Sequence, residues 1–185
     1  MKRWSPYAFS DQPVPEEDLR SLFEAARWSP SSFNEQPWRY IVATQKEPKE
    51  FERLLSCLDE WNPPWAKAAP LLALGCVTRK SARNGQPNAA AEHDLGAAST
   101  YLSLEATARG LLVHQMIGIL PDRVRELYQI PDGFRPLTGL AIGYVGDPNT
   151  LPEKYREHDH GPRQRTPLSE FGFGGRWGAT SDLVR

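Results

Sequence analysis

The longest helical pattern in the chain is "AAEHDLGAASTYLSLEATAR", residues 90–109, which ends before Gly110. One side of this pattern carries apolar residues at helical spacing, namely Ala91, Leu95, Ala98, Leu102 and Ala106. A second apolar side is formed by Ala97, Tyr101, Leu104 and Ala108. A helix that is apolar on two sides lies at the centre of a fold or is shared between two subunits. The segment therefore predicts the element around which the rest of the chain is arranged.

The segments on either side alternate between helical and strand patterns. Further helices are predicted at residues 14–28, at residues 48–60 and from Pro121 onward. Strands are predicted at residues 39–44, 70–78, 111–119 and 136–146. This alternation indicates a layered sheet of the α/β or α+β class, in a single domain over residues 1–185. After Gly146 the chain is polar and rich in proline, so this tail must lie across another part of the protein to be ordered.

The composition argues against several classes of protein. With 39% apolar residues, 24% charged residues and a net charge of −1, the chain has no overall attraction to nucleic acid or anionic membranes. Cys57 and Cys76 are too few for a disulfide framework or a zinc site. The N-terminus "MKRWSPYAFSDQP" lacks the apolar stretch of a signal peptide, and no run reaches the length of a membrane span. The sequence therefore predicts a cytoplasmic protein with neither nucleic-acid nor membrane partners.

A metal site and a hydrolase active site both lack support in the sequence. The histidines of "HDH" at residues 158–160, with His93 and His114, follow no regular ligand spacing, so no metal site is predicted. The sequence also lacks the G-x-S-x-G turn that carries the nucleophile of a Ser/His/Asp hydrolase.

A more informative segment lies between the first helix and the first strand, at residues 27–42, "RWSPSSFNEQPWRYIV". Its short polar side chains stand between two prolines: Ser31, Ser32, Asn34 and Gln36 between Pro30 and Pro37. Hydroxyl and amide groups both donate and accept hydrogen bonds, which suits the alternating edge of a pyrimidine-like ring. The alternative is that the segment is only a rigid connection, because loops generally use these residue types.

Residues 25–44, "AARWSPSSFNEQPWRYIVAT", closely resemble the signature of the nitroreductase family of FMN-dependent oxidoreductases. Other elements of that family are matched in order: "RWSPYAF" (3–9), "NPPWAKAAPLLAL" (62–74), "DLGAASTYLSLEATARGLLVHQMIGI" (94–119) and "GPRQRTPLSEFGFGGRWG" (161–178). The resemblance covers nearly the whole chain. It implies an α+β fold in which helices flank a central β-sheet, with a long central helix and an extended C-terminal tail.

The resemblance also implies which residues bind FMN. They are Arg3, Trp4, Ser5, Tyr7, Pro30, Ser31, Ser32, Asn34, Asn62, Gln115, Met116, Ile117, Gly118, Arg163 and Arg165. The N-terminal Arg3 and Ser5 and the two tail arginines are expected to bind the phosphate, for which guanidinium groups are well suited. Without the family pattern, two arginines in a polar tail would be interpreted as solvated surface. Arg176 is a weaker candidate for the same role.

The remaining matches are expected to surround the flavin ring. The resemblance implies that the loop at residues 31–34 contacts the ring from the partner subunit of a homodimer, and that Asn62 reaches the ribityl or pyrimidine side. Residues 115–118 match the strand behind the ring, where a backbone N–H near Ile117 or Gly118 is expected to face flavin N5.

The sequence departs from the family pattern at two positions. Tyr7 stands where many members have lysine or arginine, and Trp65 stands where some have lysine. Positive charge near flavin N1 and O2 stabilises the anionic reduced form. Lys67 is a possible substitute, but helix geometry turns it away from the face that carries Trp65. The reduction potential and the range of acceptors are therefore expected to differ from those of typical members.

The function implied by the resemblance is ping-pong oxidoreduction. NADH or NADPH would reduce FMN and leave, and a nitroaromatic compound, a quinone or a similar small acceptor would then take its place. No catalytic side chain is predicted, because the cofactor carries the chemistry. Two alternatives are a narrower reaction on the same fold, such as dehalogenation or flavin modification, and a flavin-binding protein without turnover.

Overall fold

A single β-sheet forms the middle of the protein, as seen in a computed structural model that describes residues 2–184. Its strands are β1 (Trp38–Thr44), β2 (Leu71–Thr78), β3 (Leu112–Met116) and β4 (Phe134–Gly143). They lie in the order β1-β2-β4-β3, and each neighbouring pair is antiparallel. Antiparallel pairing places the protein in the α+β class that the sequence predicted, because an α/β fold requires parallel strands.

Helices cover both faces of this sheet. They are α1 (Glu16–Arg27), α2 (Pro48–Leu55), α3 (Pro63–Ala66), α4 (Ala91–Ala108), α5 (Pro121–Tyr128) and α6 (Glu153–His160). Side chains of α1 and α4 form one apolar core with the sheet, and side chains of α2, α3, α5 and α6 form a second core on the other face. Strand β2 serves both cores, since Leu71 and Ala73 point to the first and Leu72 and Leu74 to the second. The continuous apolar run of this strand follows from that double burial.

The predicted central helix is confirmed, and its two apolar sides differ in the structure. The side that includes Leu95, Ala98 and Leu102 is buried against the sheet and α1. The opposite side is exposed, with 44% of Tyr101 and 52% of Leu104 accessible to solvent. One side therefore builds the core of the subunit, and the other is an apolar surface.

Several predicted elements end earlier in the structure than the sequence indicated, including β4, which ends at Gly143 rather than at residue 146, and two of the early ends are linked. Helix α2 was expected to reach residue 60 but ends at Leu55, and β3 was expected to reach residue 119 but ends at Met116. Both ends have one cause, because the backbone after α2 pairs with the backbone after β3. Leu120 donates to the carbonyl of Cys57 over 2.7 Å, and Asp59 donates to the carbonyl of Gly118 over 3.1 Å. This long-range pairing replaces the local pattern of each segment.

The tail contains a helix that the sequence did not predict. In α6 only Tyr155 is buried, so the segment carries no apolar stripe. The segments beyond α6 are largely exposed, which agrees with the predicted extended tail. Within residues 2–184, no helix combines the length and the apolar character needed to cross a membrane.

We predict that Leu102→Ala lowers the free energy of unfolding by about 2–5 kcal/mol, because it opens a cavity at a fully buried position of α4. Urea denaturation followed by circular dichroism measures this change. Leu183→Ala, at a position that is 95% exposed, serves as the matched control and should change stability by less than about 0.5 kcal/mol. Equal effects of the two variants would contradict the central position of α4.

Candidate functional site

A cavity of about 330 Å³ lies where the N-terminal segment, α3 and α6 meet. Its walls are formed by Tyr7, Trp61, Asn62, Trp65, Lys154, Tyr155 and His158. Three of these side chains belong to elements that the sequence linked to a flavin: Tyr7, Asn62 and Trp65. A larger cavity of about 610 Å³ lies beside α1 and the turn after β1, but it is lined by none of the predicted site residues. The smaller cavity is therefore the candidate site.

The N-terminal segment is held at the cavity by two side chains from distant parts of the chain. The Asp159 carboxylate of α6 accepts the backbone N–H of Tyr7 over 2.9 Å and that of Ala8 over 2.8 Å. His114 of β3 donates its Nδ1–H to the carbonyl of Pro6 over 2.9 Å. These bonds fix the backbone that leads to Arg3 and Ser5.

Aromatic rings form the floor of the cavity. The ring of Tyr7 lies 5.0 Å from that of Trp65, 4.7 Å from that of His114 and 5.2 Å from that of Tyr155, measured between centroids. Burial raises the pKa of Tyr7, and the Asp159 carboxylate adds to that increase. Tyr7 is therefore a neutral hydroxyl at physiological pH. Trp65 is 1% exposed, and its Nε1–H has no hydrogen-bond acceptor among the described residues.

Asn62 is oriented by the backbone pairing described above. Its amide nitrogen donates to Asp59 Oδ1 over 2.8 Å and to the carbonyl of Gly118 over 2.9 Å. Both of its N–H groups are used in this way, so its carbonyl oxygen is the atom that it can offer to a ligand. A Cβ atom at Gly118 would collide with the Asp59 carboxylate and the Asn62 amide, so the packing requires glycine there.

The end of β3 combines a polar side chain with an exposed apolar one. Gln115 donates from Nε2 to the carbonyl of Ser99 over 3.2 Å and to Ser103 Oγ over 3.0 Å, which ties it to α4. Ile117 is 74% exposed, and Met116 is buried in the core. An exposed aliphatic side chain between Gln115 and Gly118 is a surface on which a planar ring can lie.

The loop at residues 30–34 is tied to α4 and lies apart from the walls of the cavity. The N–H of Ser32 donates to the Asp94 carboxylate over 3.1 Å, and this aspartate is 2% exposed. Phe33 and Asn34 have positive φ angles of 52° and 57°, a conformation that side chains rarely adopt. Pro30, Ser32 and Asn34 are exposed. Backbone strain at an exposed polar loop is typical of segments that present side chains to a ligand.

The basic ends of the chain meet at the N-terminal segment. The Arg163 guanidinium lies 5.8 Å from the centre of the Trp4 ring. Trp4 follows Arg3 in the sequence, so the tail lies beside the segment that carries Arg3. Arg165 donates to the carbonyl of its neighbour Gln164. Arg176 and both of these arginines are exposed. The structure thus brings one predicted phosphate-binding arginine, Arg163, to the N-terminal element.

The match to a known protein family agrees with this geometry. Residues 1–144 match the model of the Nitroreductase family. The chain belongs to the nitroreductase family. An uncharacterised 15.4 kDa protein from the ask 5′ region of Mycolicibacterium smegmatis is 38% identical over 128 residues, which is 69% of this chain and 84% of that protein. A candidate NADH dehydrogenase/NAD(P)H nitroreductase of Streptomyces coelicolor is 28% identical over 174 residues, 82% of this chain and 85% of the relative.

Solved structures agree with this membership. An FMN-containing oxidoreductase superposes with a TM-score of 0.90 and 36% identity, over 97% of this chain and 91% of that one. A nitroreductase family protein of Clostridium difficile superposes with a TM-score of 0.68 and 29% identity, over 91% of each chain. The predicted family and its α+β fold are both confirmed.

The nitroreductase fold gathers only part of the predicted site in one place. Tyr7, Asn62 and Gly118 lie at or beside the cavity, whereas the loop at residues 30–34 is tied to α4 and is not part of the cavity wall. Sequence reasoning missed the wall contributed by α6. The spacing of Lys154 and His158 at i and i+4 was the only signal for it, and such pairs are common on solvated helices. Among residues 2–184, no group of three potential ligand side chains is arranged to hold a metal ion.

We predict that His114 makes the stability of the protein depend on pH. Burial lowers the pKa of His114, and the hydrogen bond to Pro6 and the nearby Asp159 offset this only in part. The unfolded chain takes up a proton at about pH 6.5, and the folded chain does so only at lower pH. The contribution of neutral His114 to stability is therefore complete above about pH 6.5 and is lost as the pH falls toward the folded pKa.

Urea denaturation between about pH 7 and about pH 5 tests this prediction, since that range includes the unfolded pKa. The slope of stability against pH should be smaller in His114→Gln, which retains a donor for Pro6. The exposed His160→Gln serves as the control and should follow the wild-type curve. A His114→Gln curve parallel to the wild type would contradict the assignment.

Proposed function

We propose that this nitroreductase-family chain is an FMN-dependent oxidoreductase that uses NADH or NADPH to reduce small acceptors such as nitroaromatic compounds or quinones. The observation that carries the proposal is the cavity beside Asn62 and Gly118, set in a chain that superposes with a TM-score of 0.90 on an FMN-containing oxidoreductase. Family membership supports flavin-dependent oxidoreduction in general. The nature of the reductant is supported by the name of the Streptomyces coelicolor relative.

The residues present fit FMN at its polar edge and at its ring. Both N–H groups of the Asn62 amide are engaged within the protein, so its carbonyl oxygen is the atom that can accept a hydrogen bond from a ligand. This acceptor complements the N–H group of a pyrimidine ring. The exposed Ile117 side chain offers apolar surface for the tricyclic ring.

The phosphate would lie at the other end, among basic groups. Arg3 and Ser5 are carried by a segment that Asp159 and His114 hold in place. Arg163 reaches the same segment through Trp4. Guanidinium groups bind phosphate by paired, charge-assisted hydrogen bonds, and so this end of the site suits a dianion.

The role of the protein itself is then to bind and orient FMN, the nicotinamide and the acceptor. FMN, when bound, supplies the transfer of a hydride equivalent from a nicotinamide to an acceptor. Because the cofactor carries the chemistry, the side chains need no general acid or nucleophile, which agrees with the neutral Tyr7 and the aromatic floor. We further propose that reductant and acceptor occupy one place in turn, which gives ping-pong kinetics.

A homodimer would complete the site. The exposed side of α4, with Tyr101 and Leu104, is an apolar surface that a partner subunit can cover. The exposed loop at residues 30–34, which follows α1, lies against the N-terminal end of the same helix, where the Asp94 carboxylate accepts the N–H of Ser32. We propose that pairing through α4 presents this loop to the flavin of the partner subunit.

Anaerobic titration of the FMN-loaded protein with NADH and with NADPH tests the proposal. We expect at least one nicotinamide to bleach the flavin absorbance, and a nitroaromatic compound or a quinone to restore it. Bleaching without reoxidation by either acceptor would favour a narrower reaction such as dehalogenation or flavin modification. Failure of both nicotinamides to bleach the bound flavin would favour a flavin-binding protein without turnover.

We predict that the double variant Arg163→Ala/Arg165→Ala releases FMN. The loss of two charge-assisted contacts should raise the dissociation constant about 100-fold, since a hydrogen bond to a charged group contributes about 1.5–3 kcal/mol. Quenching of FMN fluorescence measures the affinity, and circular dichroism checks the fold. Arg20→Ala, on α1, is the control for the loss of a cation and should bind FMN as the wild type does. Unchanged affinity in the double variant would disprove the phosphate assignment.

We also predict that Leu104→Glu converts the dimer to a monomer. A carboxylate on the exposed apolar side of α4 would be buried without a partner in the interface, and this is strongly unfavourable. Sedimentation velocity measures the mass. Gln86→Glu, in an exposed loop, adds the same charge elsewhere and should leave the dimer intact. A wild-type protein that is monomeric with FMN bound would contradict the interface.

A further inference from the structure

Two positions at the cavity lack the positive charge that the family pattern predicts there. At the two positions where cations were expected from the family pattern, Tyr7 is neutral and Trp65 cannot be charged. The alternative cation suggested by the sequence was Lys67. It follows α3 as an exposed residue, its carbonyl accepts a hydrogen bond from Gln45, and it is not among the residues that line the cavity. The structure therefore rejects Lys67 as the substitute.

A different lysine lies in the cavity wall. Lys154 of α6 places its ammonium 5.0 Å from the centre of the Trp61 ring and 4.5 Å from that of Tyr155. An ammonium over aromatic rings is attracted by their negative faces, so the two rings fix its position. The side chain is exposed, and these two ring contacts favour a position of its charge at the edge of the cavity.

Helix α6 is itself anchored to the rest of the site. The hydroxyl of the buried Tyr155 donates to the carbonyl of Trp61 over 2.8 Å. One turn further along, Asp159 accepts the backbone N–H groups of Tyr7 and Ala8. These bonds hold the base of Lys154 against the same two segments that carry Tyr7 and Asn62.

Two carboxylates on the segments that form the cavity are already engaged by other donors. The Asp159 carboxylate is bound by the N–H groups of the N-terminal segment. The Asp59 carboxylate accepts from the Asn62 amide and from the N–H of Trp61. Among residues 2–184, Lys154 forms no ion pair with a carboxylate and contacts only aromatic rings, so its ammonium is available to a ligand in the cavity.

We propose that Lys154 supplies the positive charge beside the pyrimidine ring of the bound flavin and stabilises reduced FMN. The inference rests on the proposed function. Asn62 offers the acceptor that the N–H group of a pyrimidine edge requires, and Lys154 lines the same cavity. Reduced flavin carries its negative charge on that ring, so a fixed ammonium there binds the reduced form more tightly than the oxidised form.

The test compares the affinities of the two redox states. Fluorescence quenching measures the dissociation constant of oxidised FMN, and equilibration with reference dyes measures the midpoint potential of the bound cofactor. Lys154→Met keeps an unbranched apolar chain against Trp61 and Tyr155 but removes the charge. We expect it to weaken the binding of reduced FMN about tenfold more than that of oxidised FMN, which lowers a two-electron potential by about 30 mV.

Two matched variants isolate the charge. Lys154→Arg retains it, and Lys67→Met removes a neighbouring lysine that lies outside the cavity. Both should keep the wild-type ratio of affinities within about twofold, since the charge beside the ring is unchanged. A Lys154→Met protein that binds FMN with an unaltered potential would overturn the inference while the proposed function stands. A wild-type protein that binds no FMN would overturn both.

Discussion

Three polar side chains on the buried side of α4 determine how the site is assembled. Asp94, Ser99 and Ser103 are each less than 5% exposed within an otherwise apolar core. A buried polar group must find a hydrogen-bond partner, because leaving it unpaired costs about 1–3 kcal/mol. The partners come from three other segments: Ser32 of the loop after α1, Tyr40 of β1 and Gln115 of β3. The helix therefore fixes the positions of the loop after α1, of β1 and of β3 relative to one another.

A second constraint builds the cavity itself. The backbone at residues 57–59 pairs with that at residues 118–120, and this pairing sets Asn62 against Gly118. Asn62 then has only its carbonyl oxygen to offer, and Gly118 has no room for a side chain. A chain with a longer α2 or a longer β3 could not make these contacts. The cavity thus depends on two elements ending early.

The tail completes this arrangement through α6. Its Asp159 holds the N-terminal segment, its Tyr155 enters the core, and its Lys154 lies against the rings of the cavity wall. A helix at this position adds a lysine to a cavity whose walls are largely aromatic.

The sequence by itself determined the features that depend on contiguous residues. The periodicity of residues 90–109 identified α4, the apolar run of residues 70–78 identified a buried strand, and the motif at residues 25–44 identified the family. Each of these signals reports the burial or chemistry of one segment. The tertiary structure decided where α2 and β3 end, that α6 forms, and that Lys154 rather than Lys67 faces the cavity. These features depend on hydrogen bonds and ring contacts between residues far apart in the chain, and no local pattern records such contacts.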